Sequence, residues 1–443
     1  MISEKMSKLL ERSAAMSSMY TESARLKEKY GAENVYDFGM GNPNLPAPDS
    51  IRETSIRVLQ ETDPWYLHHY MPNNGFPEAR EKIAASLNRR FGEHFDANNI
   101  MMCTGAAGGL NCLLKVLMDP GQEILTFAPY FGEYDRYADN VGCTLTTVPP
   151  NIPTFQPDPA ALEKCVTEKT RAVLIDNPNN PTGVVYNEET IRAIAAVLAK
   201  KEQEYGHAIY LISDEPYREL VFDGASVPWI PNDYKNTIVA YSFSKSLSLP
   251  GDRIGYLALR SEVEDFENIV AAVAVATRIT GFINASGLQQ LVCARCCDET
   301  VDIGFYDKNR KRLYDALTAY GYEMPKPEGA FYLFVKTPTE NDLEFVEKIK
   351  EHRILLTPGS GFGCPGYVRI AYCVAPETIE GALPGFKAMT MIKYLSTIVL
   401  TVALCCACDG EDFSADPTLM PPECGLSVQS DRYSVLPESE EQH

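Results

Sequence analysis

The segment Ser242-Phe243-Ser244-Lys245, followed by Pro250-Gly251-Asp252-Arg253-Ile254-Gly255, sets a lysine just past an apolar strand, with hydroxyls before it and an arginine after it. A lysine is ordinarily a solvated surface charge. At a strand end, among apolar residues and beside a cation, its amine pKa falls, which makes it a nucleophile usable toward an aldehyde. Ser242, Ser244 and Arg253 together suit a phosphate.

Three further stretches carry chemistry. Tyr210 to Tyr217 (YLISDEPY) ends a buried-looking strand on Asp214, which is either a helix N-cap or the partner of a buried cation. Met101 to Leu110 (MMCTGAAGGL) reads as strand, small-residue turn and helix, the geometry in which free backbone N–H groups at a helix start cradle a phosphate. Asn177 to Gly183 (NPNNPTG) is a rigid turn after a strand, in which an asparagine held by flanking prolines offers a fixed amide donor.

Taken in order, NPNNPTG, SDEPY, SFSKSLSLPGDRIGY, PEGAFYLFV and YVRIAYC resemble the signature of the class I and II aminotransferase family, of fold type I, over essentially residues 1 to 388. The resemblance implies an aspartate aminotransferase-like enzyme that uses pyridoxal 5′-phosphate and moves an amino group between an L-amino acid and a 2-oxo acid by a ping-pong mechanism. It implies that Lys245 forms the internal aldimine and then serves as general acid and base. Asp214 pairs with the pyridine nitrogen, which must stay protonated to act as an electron sink. Asn180 and Tyr217 bond the ring hydroxyl oxygen. Gly105, Ala106, Ala107, Ser242, Ser244 and Arg253 hold the phosphate, and Phe131 in PYF stacks on the ring. Arg369 clamps the substrate carboxylate, a task suited to a planar guanidinium, with Gly41 and Asn180 completing that pocket. Tyr70 reaches a partner subunit's cofactor phosphate, so a homodimer with shared sites is implied.

Other readings share parts of this pattern. The same scaffold supports carbon–sulfur β-lyase and cyclopropane-forming chemistry, because the pocket selects among reactions the cofactor allows. A non-catalytic effector-binding domain of a transcription regulator would need a basic DNA-binding module, which the sequence does not offer. Substrate choice is not legible: no unambiguous second arginine for a dicarboxylate stands out, and glutamate with 2-oxoglutarate is one pair the resemblance suggests.

The elements that must position these residues follow from the pattern. Short β-rich runs alternate with helical stretches over residues 50–285, which predicts a large α/β domain with a mostly parallel central sheet flanked by helices. Ligands of such sheets sit at the carboxyl ends of the strands, where Gly105, Asn180, Asp214 and Lys245 fall. Residues 286–389 predict a smaller α+β domain, and residues 1–49 an N-terminal arm that joins it. Residues 390–443 form an atypical apolar then acidic tail. Its run Leu395 to Cys408 is short for a membrane span, which needs about 20 apolar residues. Basic start, apolar core and cysteines resemble a lipoprotein signal, so the tail reads as a fusion beginning near Met391, with an extra helix packed on the body as the other reading.

Composition agrees with a folded enzyme. The 443 residues are 45% hydrophobic and carry 60 acidic against 40 basic side chains, for a net charge of −20, which disfavours nucleic acid and anionic membrane surfaces. The 13 cysteines are scattered, and Met1 to Tyr20 has no apolar signal core, so reduced thiols in the cytoplasm are expected. Two Cys-x-x-C spacings, at Cys293/Cys296 and Cys405/Cys408, read as free thiols in preference to a zinc knuckle, and no metal is expected.

Overall fold

Strands β1 (Ile100–Cys103), β2 (Glu123–Phe127), β3 (Thr144–Val148), β4 (Thr170–Asp176), β5 (Tyr210–Asp214), β6 (Thr237–Ser242) and β7 (Gly255–Leu259) hydrogen-bond into one sheet, in the order β1-β7-β6-β5-β4-β2-β3. β7 runs antiparallel to both its neighbours and every other pairing is parallel. The mostly parallel sheet expected from the sequence is therefore present. The computed structural model describes residues 2–390, without the side chains of residues 11–20. The apolar run to Cys408, the second Cys-x-x-C pair and the tail after Met391 lie outside the described residues.

Sheet and helices cohere because the side-chain period of two splits each strand between two cores. Ala172, Leu174, Ile212, Ile238 and Ala240 face one layer, which contains Leu110 and Leu113 of the helix Gly105–Leu117 and Val273 of the helix Phe266–Ile279. Val173, Ile175 and Leu211 face the other, against Ile191, Ile194 and Leu198 of the helix Glu188–Tyr205. That helix starts on Asn187, whose side chain accepts from Thr190 N–H, and ends on Gly206 in the left-handed region.

A second sheet of three strands follows: β8 (Tyr332–Lys336), β9 (Thr357–Pro358) and β10 (Tyr367–Ala371), antiparallel in the order β9-β10-β8. Helices Ile303–Ala319 and Asp342–Ile349 bury Leu313, Leu317, Phe345 and Ile349 with Leu333, Val368 and Ile370 of this sheet. The N-terminal chain joins the same core. After the helix Glu4–Tyr30, Tyr36–Asp37 pairs in parallel with Ile354–Leu355, and Phe38 accepts from Ala371 N–H through its carbonyl. This crossing delivers Gly39, Met40 and Gly41 to the pocket between the strand ends. The described residues all belong to one compact unit. No described helix is long and apolar enough to cross a membrane.

Candidate active site

A cavity of about 670 Å³ opens at the carboxyl ends of β4, β5 and β6, and its wall includes Phe131, Asn180, Asp214, Tyr217, Ser242, Ser244, Lys245, Arg253, Gly41 and Arg369. Ala106 and Ala107 line it as well. Much of this convergence follows from the sheet, because parallel strands share one carboxyl edge and the loops that leave it face one crevice, while Gly41 and Arg369 reach it from the N-terminal chain and the small sheet. Tyr70 stands apart, 84% exposed on the surface.

Lys245 sits in the one-turn helix Phe243–Ser246 that follows β6, capped by Ser242, whose hydroxyl accepts from Ser244 N–H. Its Nζ donates to the Gly41 carbonyl at 2.7 Å and lies 5.4 Å from the centre of the Phe331 ring. Burial brings the amine down to about 8, and the Arg369 and Arg253 guanidiniums push the same way while the Cys373 thiol works against them. A substantial neutral fraction near neutral pH is what a nucleophilic or proton-shuttling amine requires. Gly41 can approach so closely because it lacks a side chain: a Cβ there would stand 1.9 Å from the Tyr332 hydroxyl oxygen.

Arg253 lines the same cavity. Its Nη1 donates to Ser244 Oγ at 3.3 Å and to the Pro250 carbonyl at 3.0 Å. Gly105 opens the adjacent helix at φ +72, and a Cβ on it would meet Arg253 Nη2 at 2.6 Å. Two seryl hydroxyls, a guanidinium and a helix N-terminus thus meet at one corner, a donor set for a phosphate.

Asp214 ends β5 and also lines the cavity, 5% exposed. Its Oδ2 accepts from the Tyr134 hydroxyl at 2.9 Å, and its Oδ1 is buried with no partner among the described residues. Burial raises this carboxyl, while the Tyr134 hydrogen bond opposes the shift. An orphaned, buried carboxylate oxygen is the mark of a site built for a cation.

Arg369, 8% exposed in β10, donates from Nη1 to Asn180 Oδ1 at 3.0 Å and from Nη2 to the Gly39 carbonyl at 2.8 Å, leaving its Nε buried and unpartnered. Its guanidinium lies 4.6 Å from the Tyr332 ring centre and 4.9 Å from that of Phe362. Among the described residues no carboxylate pairs with Arg369 or Arg253, so both retain charge for an anionic ligand.

Several pocket residues went unread in the sequence. Tyr332 bonds the Tyr217 hydroxyl at 2.7 Å, and burial lifts both phenols far above the ordinary range, so both stay neutral. Tyr134 is fully buried under Asp214. Asp176 ends β4 beside Asp214. A signal existed for Asp176 alone, an acid closing the apolar run AVLI; the tyrosines look like ordinary core residues. Cys293 and Cys296 are buried free thiols, and no group of metal-ligating side chains occurs among the described residues.

The fold and pocket define an α/β enzyme that takes a phosphate-bearing, cationic-ring ligand against a lysine. The chain belongs to the family "Aminotransferase class I and II", whose model matches residues 32–385. It is 31% identical over 356 residues to the aspartate aminotransferase of Thermotoga maritima, covering 79% of this chain and 90% of that protein. An amino transferase structure from Eubacterium rectale is 42% identical with a TM-score of 0.86, over 88% of this chain and 99% of that one. An aspartate aminotransferase structure from Thermus thermophilus with maleate is 25% identical with a TM-score of 0.75, over 84% of this chain and 96% of that one. The protein is thus a pyridoxal-phosphate-dependent aminotransferase of fold type I, and the residues present fit that cofactor: an unpartnered buried carboxylate oxygen for its ring nitrogen, a corner of donors for its phosphate, and a lysine in the same cavity.

Proposed function

We propose that this aminotransferase works through Lys245, with Asp214, Asn180, Tyr217, Arg253 and Arg369 in the roles that the family pattern implies. The observation that carries the reading is a desolvated lysine amine in one cavity with a buried carboxylate that has one unpartnered oxygen and a buried arginine with no carboxylate partner among the described residues.

Bound pyridoxal phosphate supplies an aldehyde and an electron sink for charge that develops at the substrate α-carbon. Asp214 holds a proton at the ring nitrogen, its own charge steadied by the Tyr134 hydroxyl. Arg253, Ser242, Ser244 and the amides of Gly105, Ala106 and Ala107 would hold the phosphate, and Phe131 would pack against the ring. Asn180 and Tyr217 donate to the ring hydroxyl oxygen. Arg369 orients the substrate carboxylate, with Asn180 and Gly41 at its flank. Lys245 would take the α-proton and return it as general base and acid, as its partly neutral amine allows.

Tyr70 is read as completing the partner's phosphate site in a homodimer. In support, Tyr70, Ile279 and Phe282 are exposed aromatic and apolar side chains, and the loop after Tyr70 is tied to the same surface by Asn73 Nδ2 donating to the Ile283 carbonyl at 2.9 Å. In support of an arm to residue 49, a large domain over 50–285 and a small domain over 286–389, the seven-stranded sheet falls in the second range and the three-stranded sheet in the third, although the helix Gly287–Arg295 packs into the core of the large sheet. A cytoplasmic location accords with the nine free thiols among the described residues. Glutamate with 2-oxoglutarate is proposed as one substrate pair; the relative from Thermus thermophilus was captured with maleate, also a dicarboxylate.

The test is an absorbance spectrum of the purified protein and of Lys245→Ala, followed by mixing with a panel of amino acids. A visible band that requires Lys245 and is lost as a 2-oxo acid is released would support the reading and rank the substrates. No band after pyridoxal phosphate is added would sink it.

A further inference from the structure

Asp176 has no part in the roles above, yet it is placed as deliberately as Asp214. It closes β4 as Asp214 closes β5, and the two are Cα partners in parallel register. Residues in register on neighbouring strands project from the same face, here the one that Leu174 and Ile212 share one step earlier. Asp176 is 3% exposed and lines the same cavity. Its Oδ2 accepts from Asn180 N–H at 2.7 Å, and its Oδ1, like that of Asp214, is buried without a partner among the described residues.

Two adjacent carboxyls sealed from water cannot both ionise without a cation to separate them. The cations of this pocket are turned elsewhere: Lys245 to the Gly41 carbonyl, Arg369 to Asn180 and Gly39, Arg253 to Ser244 and Pro250. The titratable groups facing Asp176 are Asp214 from β5, Tyr134 from the helix Tyr134–Asn140, Tyr186 beyond the Asn-Pro turn, Tyr217 after β5 and Tyr332 of β8. All four tyrosines are held neutral by burial. Only Asp214 has a hydroxyl donor to steady a charge.

We propose that Asp176 and Asp214 form a proton-sharing pair in which Asp176 keeps the proton and Asp214 the charge, so that a single negative charge is offered to the cofactor's ring nitrogen. Asp176 is then a positioning residue that acts through Asp214: it presents a neutral carboxyl where a second anion would hold the ring cation too tightly and repel the substrate carboxylate. Burial, reinforced by the Asp214 charge, raises the Asp176 carboxyl well above its ordinary range, in agreement with this assignment. The role given to Asp176 rests on the reading of Asp214 as the ring-nitrogen partner.

The pair itself is tested without cofactor. Infrared spectra of cofactor-free protein labelled with carbon-13 at its aspartate carboxyls, taken near neutral pH, should show a protonated carboxylic acid that is missing in Asp176→Asn. If Asp176→Asn does not fold, Asp176→Ser replaces it, since a hydroxyl oxygen can also accept the Asn180 N–H. Absence of the acid band in the wild type, or its persistence in the Asp176 variant, would overturn the proposal. Because that readout needs no cofactor, it stands apart from the ring-nitrogen reading, which Asp214→Asn tests separately through loss of cofactor affinity.

Discussion

Arg369 of the small sheet donates to the Asn180 amide oxygen of the large sheet's Asn-Pro turn at 3.0 Å, a buried contact between residues 189 positions apart in the chain. The same guanidinium holds the Gly39 carbonyl, so one side chain gathers three segments around the place where a substrate carboxylate would dock. Arg369→Lys keeps the charge but loses the planar fork, and kcat/KM should fall by about 10²-fold, corresponding to roughly 3 kcal/mol of binding in the transition state. Steady-state kinetics with any accepted amino acid checks this, and an unchanged kcat/KM would remove Arg369 from the substrate site.

Lys245 ties stability to pH in the cofactor-free protein. Its amine lies at about 8 in the fold against 10.5 when unfolded, so the unfolded chain binds more protons between those values and stability contributed by this group rises with pH across that window. Below pH 8 the cost of a buried ammonium is present in full. Lys245→Met should therefore stabilise the apoprotein near neutral pH by about 3 kcal/mol, with the gain vanishing as pH approaches 10.5. Urea unfolding of both proteins at two pH values measures it.

Gly105 is held at φ +72, with Arg253 Nη2 only 2.6 Å from where its Cβ would be. Gly105→Ala should cost about 1–2 kcal/mol in backbone strain and displace the guanidinium. The affinity for pyridoxal phosphate, read by fluorescence quenching, should weaken at least about tenfold.

Glu215, fully buried beside Asp214, pairs with Arg218, which also donates to the Val227 and Pro228 carbonyls at 3.0 and 2.9 Å. Glu215→Ala leaves that guanidinium buried without its anion, and should destabilise the fold by about 3–5 kcal/mol in a denaturant titration.

Tyr70 offers a test of shared sites. Tyr70→Ala and Lys245→Ala, each impaired alone, should complement when unfolded together and refolded as mixtures: half of the dimers are then hybrid, each with one intact site, giving about a quarter of wild-type activity. No recovery in a preparation shown to contain hybrids would place Tyr70 outside the partner's site.

The sequence by itself determined the local elements and the chemical inventory. Runs such as AVLID and YLISD carry strand propensity and full burial in their own composition, and the turns NPNNPTG and PGDRIG restrict their own backbones, so strands, turns and the Lys245, Asp214, Arg253 and Arg369 positions were legible. What only the tertiary structure decided is adjacency. Nothing in the chain states that β4 lies beside β5 in a register that pairs Asp176 with Asp214, or that Tyr332 and Arg369 cross from the small sheet to meet Tyr217 and Asn180. Tyr134 reads as a core aromatic until the fold sets its hydroxyl under Asp214. The physical reason is that strand order and register are fixed by the joint packing of two hydrophobic layers over the whole sheet. An acid at a strand end gains its environment, and so its proton, from neighbours that lie far away in sequence.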